Sequence, residues 1–217
     1  MPPLYPRMRE RPEEFRINPA WPLWSRDLIV CALSYGPLFT RDESPIRLNY
    51  GYRGVTYIRD DTTLRRGGYY FDGNANSYLS GVIARGPSTT LVSAWYWVKP
   101  YEVRSDMRML NRSSGSASFW GCASNLGVWH GSSWVTGSWH MAVGVLDHQA
   151  IGYDGTTLTR YTNGRSSGTW TGTATANSSL GTVDFGCPYK SHGSWYYGEM
   201  YDWLVWSSYV MTSSIAA

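Results

Sequence analysis

GYYFDGNANSYLS (residues 68–80) and TLVSAWYWVKP (residues 90–100) decide how this chain folds. The first is an aromatic segment stopped by Asp72-Gly73-Asn74, where an Asx side chain bonds its own backbone and glycine supplies the turn. The second carries Leu91, Val92, Ala94, Trp95, Tyr96, Trp97 and Val98 with almost no polar face. A strand that is apolar on both sides needs cover on both sides, which places it in the middle of a β-sandwich. Phe71, Trp95 and Val98 are its expected core residues.

Working outward, Leu28 to Tyr35 is dense in branched residues and ends at Gly36-Pro37, the mark of a strand. Ser77 to Ile83, Met107 to Asn111, Ser116 to Cys122, Asn125 to His130 and Ser132 to Val135 read as further strands. Trp139 to Leu146 (WHMAVGVL) reads as a strong one. Asp154-Gly155 and Asn163-Gly164 supply the positive φ of tight hairpins around Thr157 to Thr162. Ser166 to Ser179 is an exposed strand and loop, Val183 to Cys187 a short strand, and Gly198 to Trp206 the closing one. Turn signals every 8 to 12 residues or so are the spacing of sandwiches and jelly rolls. No window holds a helical stripe, so the class is all-β.

Twenty-three glycines, 12 tryptophans and 17 tyrosines in 217 residues agree with that class. No apolar run is long enough for a membrane-spanning helix, and MPPLYPRMRERPEEFR lacks the apolar core of a secretory signal peptide. Cys31, Cys122 and Cys187 are odd in number and have no CxxC spacing, which argues against a disulfide framework or a zinc site. They read as small buried residues of a protein made in a reducing compartment.

The net charge of +3 is spread unevenly, with eleven of the nineteen basic residues in the first 66 positions. Arginine outnumbers lysine seventeen to two, which favours planar, bidentate contacts. Glu10, Glu13, Glu14, Asp27, Asp42, Glu43, Asp60 and Asp61 interleave with these arginines, so a nucleic-acid footprint is not expected. Salt-bridged contact with protein fits better. Residues 1–22 are also proline-rich, which rules out an interior strand. Residues 1–24 are therefore expected to be either a solvated tail or an extended N-terminal arm that reaches a neighbouring subunit, with the sandwich over 25–217; the aromatic content of the segment speaks for the arm. Tyr5, Trp21 and Trp24 are apolar anchors of that arm, and Arg7, Arg9, Arg11 and Arg16 its candidates for pairing with acidic neighbours.

Four stretches, in order, resemble the laminin-G-like, concanavalin A-like jelly-roll modules. They are Tyr70-Phe71-Asp72-Gly73-Asn74 with Ser77-Tyr78-Leu79, then Ser93-Ala94-Trp95 with Val98-Lys99-Pro100. Gly137-Ser138-Trp139-His140-Met141-Ala142-Val143 follows, and then Tyr153-Asp154-Gly155 with Leu158, Tyr161 and Asn163-Gly164. The closing segment Gly198 to Trp206 resembles the family's last strand. Leu146 to Gly152 departs from the pattern as an insert, and Thr162 stands where an apolar residue is usual. Near the N-terminus, Ile17-Asn18, Pro22-Leu23 and Asp27 to Val30 resemble the opening of laminin-G-like proteins of tailed bacteriophages. The resemblance implies a concanavalin A-like jelly-roll sandwich in a virion setting, made in the host cytoplasm. Its partners would be capsid or tail proteins, and family analogy adds a homotrimer.

Fold alone does not give function, because this jelly roll hosts glucanases, lectins and structural modules. A glycosidase needs two carboxylates in one cleft, whereas Glu199 and Asp202, three apart on a strand, fall on opposite faces. His130, His140, His148 and His192 lie in unrelated contexts, so no nucleophilic triad is expected. Asp72 and Asp154 have turn roles that explain them without calcium, and no cofactor is called for. Trp129, Trp134, Trp170, Trp195 and Tyr197 occupy turn-rich places where exposed rings would stack on sugar. The sequence thus points to a non-enzymatic virion structural protein, a capsid decoration or tail and fibre component. A glycan-binding adhesion module is the alternative.

Overall fold

The computed structural model describes residues 28–32, 50–53, 55–58, 68–82, 93–103, 108–113, 119–122, 125–130, 133–138, 141–154, 156–172, 182–186 and 195–206. The arm of residues 1–24, with Tyr5, Arg7, Arg9, Arg11, Arg16, Trp21 and Trp24, lies outside them, as do the side chains of the three cysteines.

The regular elements among the described residues are all strands: β1 (Leu28–Ala32), β2 (Tyr50–Arg53), β3 (Thr56–Ile58), β4 (Gly68–Asp72), β5 (Tyr78–Val82), β6 (Ser93–Pro100), β7 (Arg108–Ser113), β8 (Phe119–Cys122), β9 (Asn125–His130), β10 (Ser133–Ser138), β11 (Asp147–Tyr153), β12 (Thr157–Thr162), β13 (Arg165–Thr171), β14 (Thr182–Phe185) and β15 (Tyr197–Trp206). Every pairing among the described residues is antiparallel. One sheet runs β13-β12-β11-β6-β15-β4-β3 with β1 also on β15, a second runs β2-β5-β14-β7-β8, and β9 and β10 form a hairpin. This is a jelly-roll β-sandwich.

The ten residues of β15 run through the first sheet beside the whole of β6. Along its other edge, β4 pairs with Tyr197 to Met200 and β1 with Trp203 to Trp206. The register with β6 slips between Tyr201 and Trp203. That bulge reverses the side-chain alternation. Before it, Glu199 and Tyr201 point away from the second sheet; after it, Trp203 and Val205 point toward it. The Trp203 ring meets Phe185 of β14 at 4.6 Å and Tyr69 of β4 at 6.0 Å, which fixes the inner face. Phe71, Ala94, Val98, Ile151 and Val205 are fully buried there. Each large apolar side chain so buried contributes roughly 1.5–3 kcal/mol.

Burial along β6 alternates strictly, with Ala94, Tyr96, Val98 and Pro100 buried and Trp95, Trp97 and Lys99 half-buried. The core partner of Phe71 and Val98 is thus Tyr96 rather than Trp95. Trp95 and Trp97 lie on the other face, where their rings approach the His148 ring at 4.6 and 5.1 Å. Residues 141–146 also depart from expectation. Instead of continuing a strand they turn, with Gly144 at φ 74° and Val143 and Val145 exposed. The strand starts at Asp147, so the apparent insert is β11 itself.

The glycine turns behave as their chemistry dictates. Asn163 (φ 48°) and Gly164 (φ 78°) are both left-handed, the requirement of a type I′ hairpin. Asp154 accepts hydrogen bonds from the backbone N–H groups of Thr156 and Thr157 at 2.9 and 2.7 Å. These bonds hold its carboxyl below the usual range. Asp72 does the same for Asn74 at 2.9 Å.

Candidate functional site

The register brings one end of several strands to a common rim. Tyr197 at the start of β15 lies opposite Asp72 at the end of β4, and Gly198 opposite Pro100 at the end of β6. The Tyr101 N–H donates to the Tyr197 carbonyl at 2.9 Å and the Gly144 N–H to the Pro100 carbonyl at 2.7 Å. The exposed Val143 and Val145 therefore stand beside this rim.

Three half-buried tyrosines form the centre of the rim. Tyr70, Tyr101 and Tyr197 meet with ring centroids 5.6 to 6.1 Å apart, the edge-on and tilted geometry that ring quadrupoles favour. Tyr70, Glu199 and Lys99 are direct cross-strand neighbours on β4, β15 and β6. Adjacent side chains on one sheet face are in reach of one another. The Glu199 carboxylate accepts from the Tyr101 hydroxyl and from the Tyr201 hydroxyl, the latter at 2.5 Å. Lys99 Nζ lies 3.8 Å from Glu199 Oε2 and 5.7 Å from the Tyr101 ring centroid. Burial and the hydrogen bond to Glu199 push the Tyr101 hydroxyl well above its usual pKa. Burial, together with the bond to Tyr197, raises Tyr70.

One of the five expected stacking residues, Tyr197, belongs to this surface as a member of the triad. Trp195 is half-buried with its ring 5.7 Å from Tyr78 of β5, in the second sheet. Trp170 does not join the triad either. It pairs with Leu158 toward the opposite rim, and its ring fills the space over Gly168. Trp129 and Trp134 face each other in the register of the β9–β10 hairpin, and their side chains lie outside the described residues. Tyr70, Tyr101 and Lys99 were missed by sequence reasoning, and Glu199 was weighed only as half of a rejected carboxylate pair. The alternation of SAWYWVKP does put Lys99 opposite the core, but nothing local links it to Glu199.

The register also changes the relation between Glu199 and Asp202. Asp202 sits in the bulge, so counting residues does not assign its face. What the geometry shows is Glu199 engaged by two phenols and an ammonium group. Among the described residues no three His, Cys, Asp or Glu side chains form a metal-ligand set. Nor does any helix there have the length and apolarity to cross a membrane.

Solved structures share this fold at low identity. Domain 4 of AbnA, a GH43 extracellular arabinanase from Geobacillus stearothermophilus solved in complex with arabinotriose, matches with TM-score 0.60 and 15% identity over 78% of this chain and 86% of that one. The botulinum neurotoxin serotype G binding domain matches with TM-score 0.65 and 12% identity, covering 86% of this chain and 49% of that one. A heptameric SAP-like pentraxin from Limulus polyphemus matches with TM-score 0.52 and 19% identity, covering 68% and 78%. This chain thus spans about half the length of the toxin binding domain. No protein-family model matches the chain, and no curated protein does. At these identities the fold is what is shared, an antiparallel jelly-roll β-sandwich.

Proposed function

We propose that the protein is a non-enzymatic binding module whose rim of Tyr70, Tyr101 and Tyr197 takes a glycan. The observation that carries this reading is the half-buried tyrosine triad set against an ordered carboxylate. Phenol rings offer an apolar face to the C–H side of a sugar, and a few fixed polar groups then orient its hydroxyls. Glu199 and Lys99 supply an acceptor and a donor already held in place, so little ordering is required on binding. A carbohydrate complex of a protein with this fold, the arabinotriose complex of the arabinanase domain, is consistent with the reading.

A glycan array followed by calorimetry on the best ligand tests it. Tyr197→Ala and Tyr101→Ala should each weaken binding tenfold or more, whereas Trp170→Ala should leave it unchanged. No binding at millimolar glycan would remove the proposal. Release of reducing sugar from a bound polymer would remove its non-enzymatic part.

The setting we propose is the surface of a virion, as a capsid decoration or a tail or fibre component. Its support is the resemblance over Ile17 to Val30 and the crowding of arginine toward the N-terminus. In this reading residues 1–24 attach the module, with Arg7, Arg9, Arg11 and Arg16 pairing with acidic groups of capsid or tail neighbours. Tyr5, Trp21 and Trp24 anchor it, and the copies assemble as a homotrimer. Deleting residues 1–20 should abolish particle association and leave the sandwich folded; unchanged association would sink the arm.

A further inference from the structure

Away from the rim, a single row of side chains crosses the inner face of the first sheet. Trp203 of β15 pairs with Tyr96 of β6, Tyr96 with Gln149 of β11, and Gln149 with Thr162 of β12. Three of the four carry a buried polar atom with no hydrogen-bond partner: Trp203 Nε1, the Tyr96 hydroxyl and Gln149 Nε2. Their residues are 2%, 5% and 1% exposed. Buried polar groups without partners are rare and costly, so three in consecutive register positions call for an occupant.

The chemistry of that occupant follows from the fourth position. Arg160, also buried, sends Nε and Nη2 to Thr162 Oγ1 at 3.1 and 2.7 Å. A hydroxyl that accepts two such bonds turns its own proton outward, and Thr162 Oγ1 donates to Gln149 Oε1 at 3.2 Å. The Gln149 amide is therefore oriented, and Nε2 is left as a donor. The indole N–H is a donor only, and the phenol has a proton to give. Three donors thus occupy consecutive register positions, and the Arg160 guanidinium reaches the fourth. Burial lowers Arg160 to about 10, so it remains a cation at neutral pH.

We propose that this row is a binding site for one carboxylate group, carried by a small organic acid or by an acidic sugar. Two acceptor oxygens would satisfy donors that otherwise lack an acceptor, and their charge would add to that of Asp147, which already acts on Arg160. Entry is from the β12–β13 edge, where Thr162 is half-buried and its hydroxyl lies 3.1 Å from that of the exposed Ser167. This site is independent of the aromatic rim, and either can fail alone.

Thermal-shift and calorimetric titrations of the whole chain with sodium acetate, sodium glucuronate and glucose, against sodium chloride at equal ionic strength, test the proposal. Stabilisation is expected from acetate or glucuronate and not from glucose. Acetate equal to glucuronate assigns the site to small acids, and glucuronate alone to acidic sugars. Tyr96→Phe, which removes one oxygen without changing the packing, should weaken that binding about tenfold, as should Gln149→Met, while Tyr197→Ala should not affect it. No shift beyond chloride, or equal binding by wild type and Tyr96→Phe, would overturn it.

Discussion

The Tyr201 hydroxyl, on a side chain with no exposure at all, donates to Glu199 Oε2 at 2.5 Å. The two residues are neighbours on one face of β15, and the bond turns the carboxylate into part of the sheet. Glu199→Gln keeps an acceptor oxygen and should cost little. Glu199→Leu removes the acceptor from buried Tyr201 and from Tyr101, and should destabilise by about 2 kcal/mol. Urea unfolding measures both, and adding Tyr201→Phe to Glu199→Leu should recover part of the loss.

Alkaline titration reads the same cluster. Tyr101 ionises above its ordinary value of 10.0 because burial and Glu199 disfavour the phenolate. Such a group stabilises the fold fully below pH 10 and loses that contribution as pH rises through the higher folded value. Spectrophotometric titration should show tyrosines still protonated above pH 10 in the native protein. Glu199→Gln should bring the Tyr101 transition down.

His148 gives the opposite dependence at acid pH. Burial between Trp95 and Trp97 lowers it from 6.5 to about 4, since the charged ring would lose its hydration. The unfolded chain binds the proton first, so the contribution is fully present above about pH 6.5. It is lost as pH falls through about 4, and amounts to about 3 kcal/mol over the window. Urea midpoints between pH 7 and 4 should fall accordingly. His148→Phe, which keeps a ring between the two indoles, should flatten that slope.

Gly186 lies where the end of β14 meets the core. Its φ is 77°, and a Cβ there would stand 2.6 Å from Cε1 of Phe71, a residue with no exposure. Backbone strain and a steric clash with a fixed ring act together, so Gly186→Ala should cost about 2 kcal/mol or more. Equal urea midpoints for variant and wild type would contradict this account of the turn.

Most strands were legible because their boundaries are local chemistry. Asp72-Gly73, Asp154 and Asn163-Gly164 announce their turns through side-chain bonding and positive φ, and the structure uses each of Asp72, Asp154 and Asn163-Gly164 in that way. The part of Trp139 to Leu146 that the structure describes, 141–146, misled because apolar content resembles a strand until Gly144 adopts φ 74°. Trp95 was assigned to the core because WYW hides its alternation; only pairing with β15 and β11 tells the two faces apart. The rim was half legible. Tyr197 stood out as an aromatic near a turn, whereas the bond joining Tyr101 to Glu199 spans 98 residues of sequence. No local pattern encodes a contact of that range, and the bulge at Asp202 removes the parity by which faces are counted.

The position of β15 sets the timing of folding. It borders β6, β4 and β1, yet it is the last of the described strands to leave the ribosome. Until it arrives, β6 lacks a neighbour along one edge, and β1 and β4 lack the strand that joins them to the sheet. Contacts of such sequence separation form late and slowly. The sandwich therefore closes only after synthesis has passed Trp206, and chains stopped short of β15 expose an open sheet edge prone to aggregation.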